Sequence, residues 1–340
     1  MIKDFSKKNI FTIIFLTVFL SIIFYINWIV WILSTIFSLL IYSLFTYFFY
    51  FLYKKIFRKK YLFYIDFLKL FLYRASIWLL IIIVFIWWFS YYNNKINPAK
   101  MPTYTISNGK KIVIFQAMSH IWKKSFYEKV KQNLIKAKKN WFVYFFEWVR
   151  PWTKENKKDF DKAIWIKFDK NLYKNFSKLY GVTNQDNRIF LWLVNNLDFN
   201  VDLSIDDIMK YYKKYNFKNP NLSKTQQAID VNKEIIKTLS KLNPKELAIL
   251  RYINQAILNV IISSPKARTT ISDNFWNKNL FKVILEERNK NLVKNITKSK
   301  YNKIFITYWL MHFDGVFKLL KQKDKNWKII KVNYLYPIWK

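Results

Sequence analysis

"KIFITYWLMHFDG", residues 303–315, and "KIVIFQAMSH", residues 111–120, are two copies of one short pattern. Each begins Lys-Ile, runs through an apolar stretch of β-branched and aromatic residues, and reaches a histidine. A helical pattern follows each copy. Strands alternating with helices predict an α/β fold with a central, largely parallel or mixed sheet. His120 and His312, the chain's two histidines, then stand just past the C-terminal ends of two strands. Open α/β sheets hold their ligands there. One histidine so placed is ordinarily a satisfied core or capping residue; two in the same arrangement argue for a shared site.

"FVYFFE", residues 142–147, adds a third buried strand, ending in Glu147 with Arg150 close behind in "FEWVRPW". If it neighbours the strand at 111–117, Glu147 lies beside His120. Two imidazoles and a carboxylate suit a divalent metal with open coordination positions. A metal-free site, with a histidine as general base oriented by Glu147, uses the same residues. A simple ion pair of Glu147 with Arg150 is the less favoured alternative. The absence of cysteine excludes disulfides, thiolate nucleophiles and Cys-ligated zinc.

Outward from these motifs the composition is skewed. The chain has 3 glycines and 15 tryptophans, where average usage gives roughly two dozen glycines. Asn108-Gly109, between "TYTIS" and "KKIVIF", suits a type I′ hairpin turn. Three Asn-Trp pairs sit in similar places: Asn27-Trp28, Asn140-Trp141 and Asn326-Trp327. They read as Asn-Gly turns if UGA codons that encode glycine have been translated as tryptophan, an alternative genetic code. Genuine tryptophans in an AT-rich genome are the other reading.

Residues 10–92 are dominated by apolar and aromatic side chains and carry spans near 10–26, 28–53 and 75–92, the first two joined by a tight turn at Asn27-Trp28. "YLFYIDFLKLFLYR" (61–74) keeps charges within an apolar pattern and suits the membrane interface. Lysines 3, 7 and 8 and the run 54–60 flank the first two spans, which puts both clusters in the cytoplasm by the positive-inside rule. Three spans then put the C-terminal part outside, and two, with 61–92 a re-entrant or surface segment, put it inside, the first being favoured. Residues 1–92 are thus an anchor, 93–102 a linker, and 103–340 one α/β domain. Its first helix is expected to open with a capping box of Ser125 and Glu128. Further helical patterns cover 156–180, 204–215 and 223–298, with breaks at Pro220, Pro244 and Pro265, and strand 303–309, helix 315–322 and strand 328–335 close the chain. The formal charge of +37 comes mostly from scattered lysines and reads as solvated helix faces. With no basic-aromatic motif or zinc-finger spacing, no nucleic-acid partner is expected.

Taken in order, these motifs resemble the TraB/GumN family, which includes the Tiki membrane-anchored metalloproteases. The family carries a Gly-x-x-His motif after its first core strand, a glutamate in an "EGVRPG"-like stretch, and a second Gly-x-x-His followed by a glycine and a helix. Here "AMSH" stands for the first, with Ala117 at the glycine position. "FEWVRPW" and "WLMHFDG" match the others if Trp148, Trp152 and Trp309 are read as glycine. "YGVTNQ", ending in Gln185, and "EERNK", with Glu287, Arg288 and Asn289, extend the likeness over roughly residues 103–340. The resemblance implies one mixed-sheet α/β domain of TraB, Tiki or erythromycin-esterase type; the anchor precedes that domain here, whereas pheromone-shutdown members have theirs C-terminal. It implies a metal-dependent hydrolase of peptide or signal substrates, with Mn, Co or Zn held by His120, Glu147 and His312. Arg150, Arg288 and Gln185 would meet the substrate. A protein that binds a peptide signal without cleaving it, as pheromone-shutdown relatives do, is the alternative.

Overall fold

The computed structural model describes residues 2–148, 150–164, 166–167, 171–215, 228–268, 270 and 277–338, with backbone alone for 2–6 and 28–30. The expected break at Pro220 lies outside these residues. The chain divides into two compact units, Met1–Tyr91 with Leu242–Leu250, and Tyr92–Lys241 with Arg251–Lys340.

In the first unit α1 (Ile2–Ile56) and α2 (Tyr64–Tyr91) carry the apolar sequence. Among the described residues, three stretches are long and apolar enough to cross a membrane: Lys7–Asn27, Trp31–Ile56 and Tyr64–Ile96. The interfacial segment and the third span expected from the sequence are therefore one helix. The tight turn at Asn27-Trp28 does not form, since α1 runs through it. Such a turn needs positive φ, which a tryptophan resists and a glycine accepts. At 1.5 Å per residue α1 is roughly 80 Å long, far beyond a hydrocarbon core of about 30 Å.

The second unit opens with a π-helical turn, Tyr92–Ile96. The expected linker is built into the fold. Asn94 is buried and donates to the Tyr252 carbonyl at 2.8 Å, and Ala99 and Met101 are core residues. The elements are then β1 (Met101–Ser107), β2 (Ile112–Met118), β3 (Ile121–Trp122), α3 (Lys124–Lys139), β4 (Val143–Phe146), α4 (Lys154–Ile164) and α5 (Leu172–Tyr180). They continue with β5 (Thr183–Asn184), α6 (Arg188–Leu191), β6 (Phe199–Asn200), α7 (Ile205–Lys214), α8 (Val231–Lys241) and α9 (Pro244–Ser263). The C-terminal set is α10 (Lys278–Lys298), β7 (Lys303–Trp309), α11 (Phe313–Lys323) and β8 (Lys328–Leu335).

Six strands form a mixed sheet in the order β6-β4-β7-β2-β1-β8. β6, β4, β7 and β2 are mutually parallel, and β1 runs antiparallel to both β2 and β8. The two Lys-Ile copies lie side by side, with Ile112 opposite Lys303 and Met118 opposite Trp309. β7 separates β4 from β2, so the expected adjacency of those two strands does not hold. The connection from β2 to β4 passes over β7, while that from β7 to β8 passes the other way. The β2–β7 junction is therefore a topological switch point, where such sheets open a crevice at their C-terminal edge.

Local chemistry departs from expectation at two turns. The β1–β2 connection is a four-residue loop in which only Gly109 has positive φ (87°), so it is not type I′. The Asn108 side chain organises it by accepting from the Lys110 and Lys111 N–H groups. α3 starts at Lys124 after an N-cap at Lys123 that makes no side-chain bond, so Ser125 lies inside the first turn and the expected capping box is absent. A capping box does open α7, with Ser204 and Asp207.

α3 and α5 end in the same motif. At α5, Val182 N–H reaches the Ser177 carbonyl, Gly181 N–H reaches Lys178, and Gly181 has φ 63°. At α3, Phe142 N–H reaches Ala137, Trp141 N–H reaches Lys138, and Trp141 has φ 64°. This Schellman arrangement calls for glycine at the left-handed position, and there α3 holds a tryptophan that is 86% exposed. Left-handed backbone costs a non-glycine residue about 1–2 kcal/mol, and little packing is lost with an exposed indole. Trp141→Gly should therefore raise stability by about 1 kcal/mol, or roughly 2–4 °C in Tm; a fall in Tm would show that position 141 is suited to tryptophan.

Candidate functional site

All four parallel strands end at one edge, and each is followed within three residues by an ionisable side chain: β2 by His120, β4 by Glu147, β6 by Asp202 and β7 by His312. α10 lays Arg288 and Asn289, both buried, against this edge. The Arg288 guanidinium is the centre of the group. It donates from Nε to Asp202 Oδ1 at 2.7 Å and pairs through Nη2 with Asp202 Oδ1 at 2.5 Å and Glu147 Oε1 at 2.9 Å. The second Glu147 oxygen accepts the Trp309 N–H at 3.0 Å, which ties the end of β4 to the end of β7. The Tyr308 ring lies 5.6 Å from the guanidinium carbon.

His312 is fully buried. Its Nδ1 lies 2.7 Å from Asn289 Oδ1, an acceptor, so Nδ1 carries the proton and the Nε2 lone pair is left without a partner. Gly315 makes this contact possible, because a Cβ there would overlap Asn289 Nδ2. The His120 ring packs on Tyr173 from α5, centroids 4.3 Å apart. Burial, and then the Arg288 charge, lower the His120 pKa to about 4 and hold His312 well below the usual histidine range. Both imidazoles are neutral at pH 7. Because folding excludes the His120 proton, this residue's contribution to stability falls as pH drops from about 6.5, the unfolded value, towards about 4.

The metal reading is corrected by this geometry. Among the described residues, no group of three or more His, Cys, Asp or Glu side chains could hold an ion, and the expected Mn, Co or Zn site of His120, Glu147 and His312 does not form. Both Glu147 oxygens are committed, and His312 Nδ1 is held by Asn289. The positive charge that a metal would have supplied is provided by Arg288.

Of the residues expected from sequence, His120, Glu147, His312 and Arg288 come together. Gln185 joins through its backbone: β3 and β5 pair, and Gln185 N–H donates to the His120 carbonyl at 2.8 Å. Arg150 stands apart, exposed, donating to the Asn200 carbonyl at 2.9 Å, so Glu147 pairs with Arg288 and not with Arg150. Trp309 has φ −58° and ψ 138°, open to any residue, so the backbone does not require glycine there. Its indole instead crowds the site, 5.9 Å from the His312 ring and 6.0 Å from Phe281.

Sequence reasoning missed Asp202, Tyr173 and Tyr308. Asp202 follows the same rule as the others, past the C-terminal end of a parallel strand, but β6 has only two residues and shows no periodicity. Compared with known proteins, the chain matches no protein-family model, no curated protein and no solved structure.

Proposed function

We propose that this chain is a membrane-anchored hydrolase of TraB/GumN-like architecture that acts on a peptide or signal substrate without a metal ion. The observation that carries this reading is the His312 imidazole: neutral, its tautomer fixed by Asn289, and its Nε2 lone pair buried and unused. A neutral imidazole with one nitrogen uncommitted can act as a general base once substrate and water enter the site, and His120 lies across the same electrostatic cluster. Arg288 supplies fixed positive charge where negative charge develops. Arg150, exposed beyond β4, has guanidinium donors to offer a substrate carboxylate. The full chain in detergent, assayed against fluorogenic peptides, should cleave at a rate unaffected by EDTA and reduced at least about a hundredfold by His120→Ala. Cleavage that EDTA stops, or that survives loss of His120, defeats the proposal.

The second reading, a domain that binds a peptide signal without cleaving it, draws on one observation: the Trp309 indole crowds His312. It predicts saturable peptide binding, with no turnover even in Trp309→Gly.

The lysine clusters at both ends of the first pair of spans favour a multi-pass protein with the second unit outside the cytoplasm. Protease added to intact cells, or to spheroplasts where a wall intervenes, should trim residues 93–340. Full protection until lysis would place the unit inside.

A further inference from the structure

The cluster at the sheet edge holds one cation and two carboxylates. Arg288 is the cation, and Glu147 and Asp202 are the carboxylates. Both histidines are neutral, so they do not offset the excess negative charge. Buried charge without a counter-charge is among the costliest features a fold can carry.

The two carboxyl groups are not equivalent. Glu147 has a donor on each oxygen, Arg288 on one and the Trp309 N–H on the other. Asp202 is wholly buried, and its Oδ1 accepts from Arg288 Nε and Nη2 and from the Leu203 N–H. Its Oδ2 is buried with no partner. A proton placed there removes the surplus charge from the one oxygen that no donor stabilises. We propose that Asp202 is a carboxylic acid that keeps its proton at neutral pH and serves as the proton store of the site. The charged and titratable groups that face it are Arg288 from α10, Glu147 after β4, His120 after β2, and Tyr308 on β7. Burial first raises the Asp202 pKa, Arg288 opposes this, and Glu147 adds to the rise.

The use of that proton rests on the hydrolase reading. As a neutral histidine takes a proton from water, the water oxygen bonds to the acyl carbon. The bond from that carbon to its leaving oxygen or nitrogen breaks, and the leaving atom takes the Asp202 proton. The histidine becomes a cation as Asp202 becomes a carboxylate, so the cluster's total charge is unchanged, and return of the proton from histidine to Asp202 resets the site.

The proton itself is tested without a substrate. Infrared spectra of the full chain in detergent at pH 7 should show a protonated-carboxyl C=O stretch that shifts in D2O and is lost in Asp202→Asn. A wild-type spectrum without that band, or a band that persists in Asp202→Asn, overturns the proposal. Should the Asn variant fail to fold, ¹³C-aspartate labelling of the wild-type chain decides: the band moves if the acid is an aspartate and stays if it is a glutamate. Failure here leaves the hydrolase reading standing, because that reading is judged by turnover.

Discussion

Arg288→Ala should lower the stability of the second unit by about 3–5 kcal/mol, the cost of breaking a buried ion pair from one side. The loss exceeds that of any single contact because the substitution strands two carboxyl groups, Glu147 and Asp202, that have one cation between them. For a unit of this size it corresponds to roughly 6–20 °C in Tm. Arg288→Lys should fall between: it keeps the charge but loses the fork that spans both carboxyls. A Tm change of a degree or two for Arg288→Ala would mean that water already reaches the group, and the electrostatic account of both histidines would fail with it. Histidine NMR gives a second readout, simple in a chain with two histidines. Removing the Arg288 charge should raise both imidazole pKa values, since that charge opposes their protonation.

His312→Ala should cut turnover by about 10²–10⁴, the range for loss of a positioned general base. Trp309→Gly should act in the opposite direction and raise turnover by opening the space beside the His312 ring. The gain comes from removing the indole and not from relieving strain, because φ −58° and ψ 138° suit any residue. The same change gives up the edge contact with Phe281. Trp309 is half-buried, so its stability cost should stay below the 3–5 kcal/mol of a fully buried tryptophan. A large drop in Tm with no gain in turnover would make the indole structural.

The strands that carry His120 and His312 are legible in the sequence because each is a seven-residue run rich in β-branched and aromatic residues that reaches a histidine within three residues of its end. Their parallel pairing follows from the repeat. The lateral order does not: nothing local tells β7 to enter between β2 and β4, since sequence distance does not encode position in a sheet. Arg288 and Asn289 come to notice only through the family resemblance. α10 is buried on much of its circumference, from Leu280 to Ile296, so its periodicity marks no single functional face. The metal expectation failed for a related reason. The spacing of His120, Glu147 and His312 says which residues reach the edge, but not that an arginine from a distant helix fills the place between them.

Trp141 gives a backbone angle a bearing on translation. Two helices of one chain close with the same hydrogen bonds at φ 63° and 64°, one on glycine and one on tryptophan, so a dihedral becomes testimony about which transfer RNA answered the codon. If the codon at 28 is UGA, an ordinary host that reads it as stop would release a 27-residue peptide, less than half of α1. A synthetic gene must therefore choose a letter at each such site, and at position 28 the choice falls between one unbroken rod and a bend.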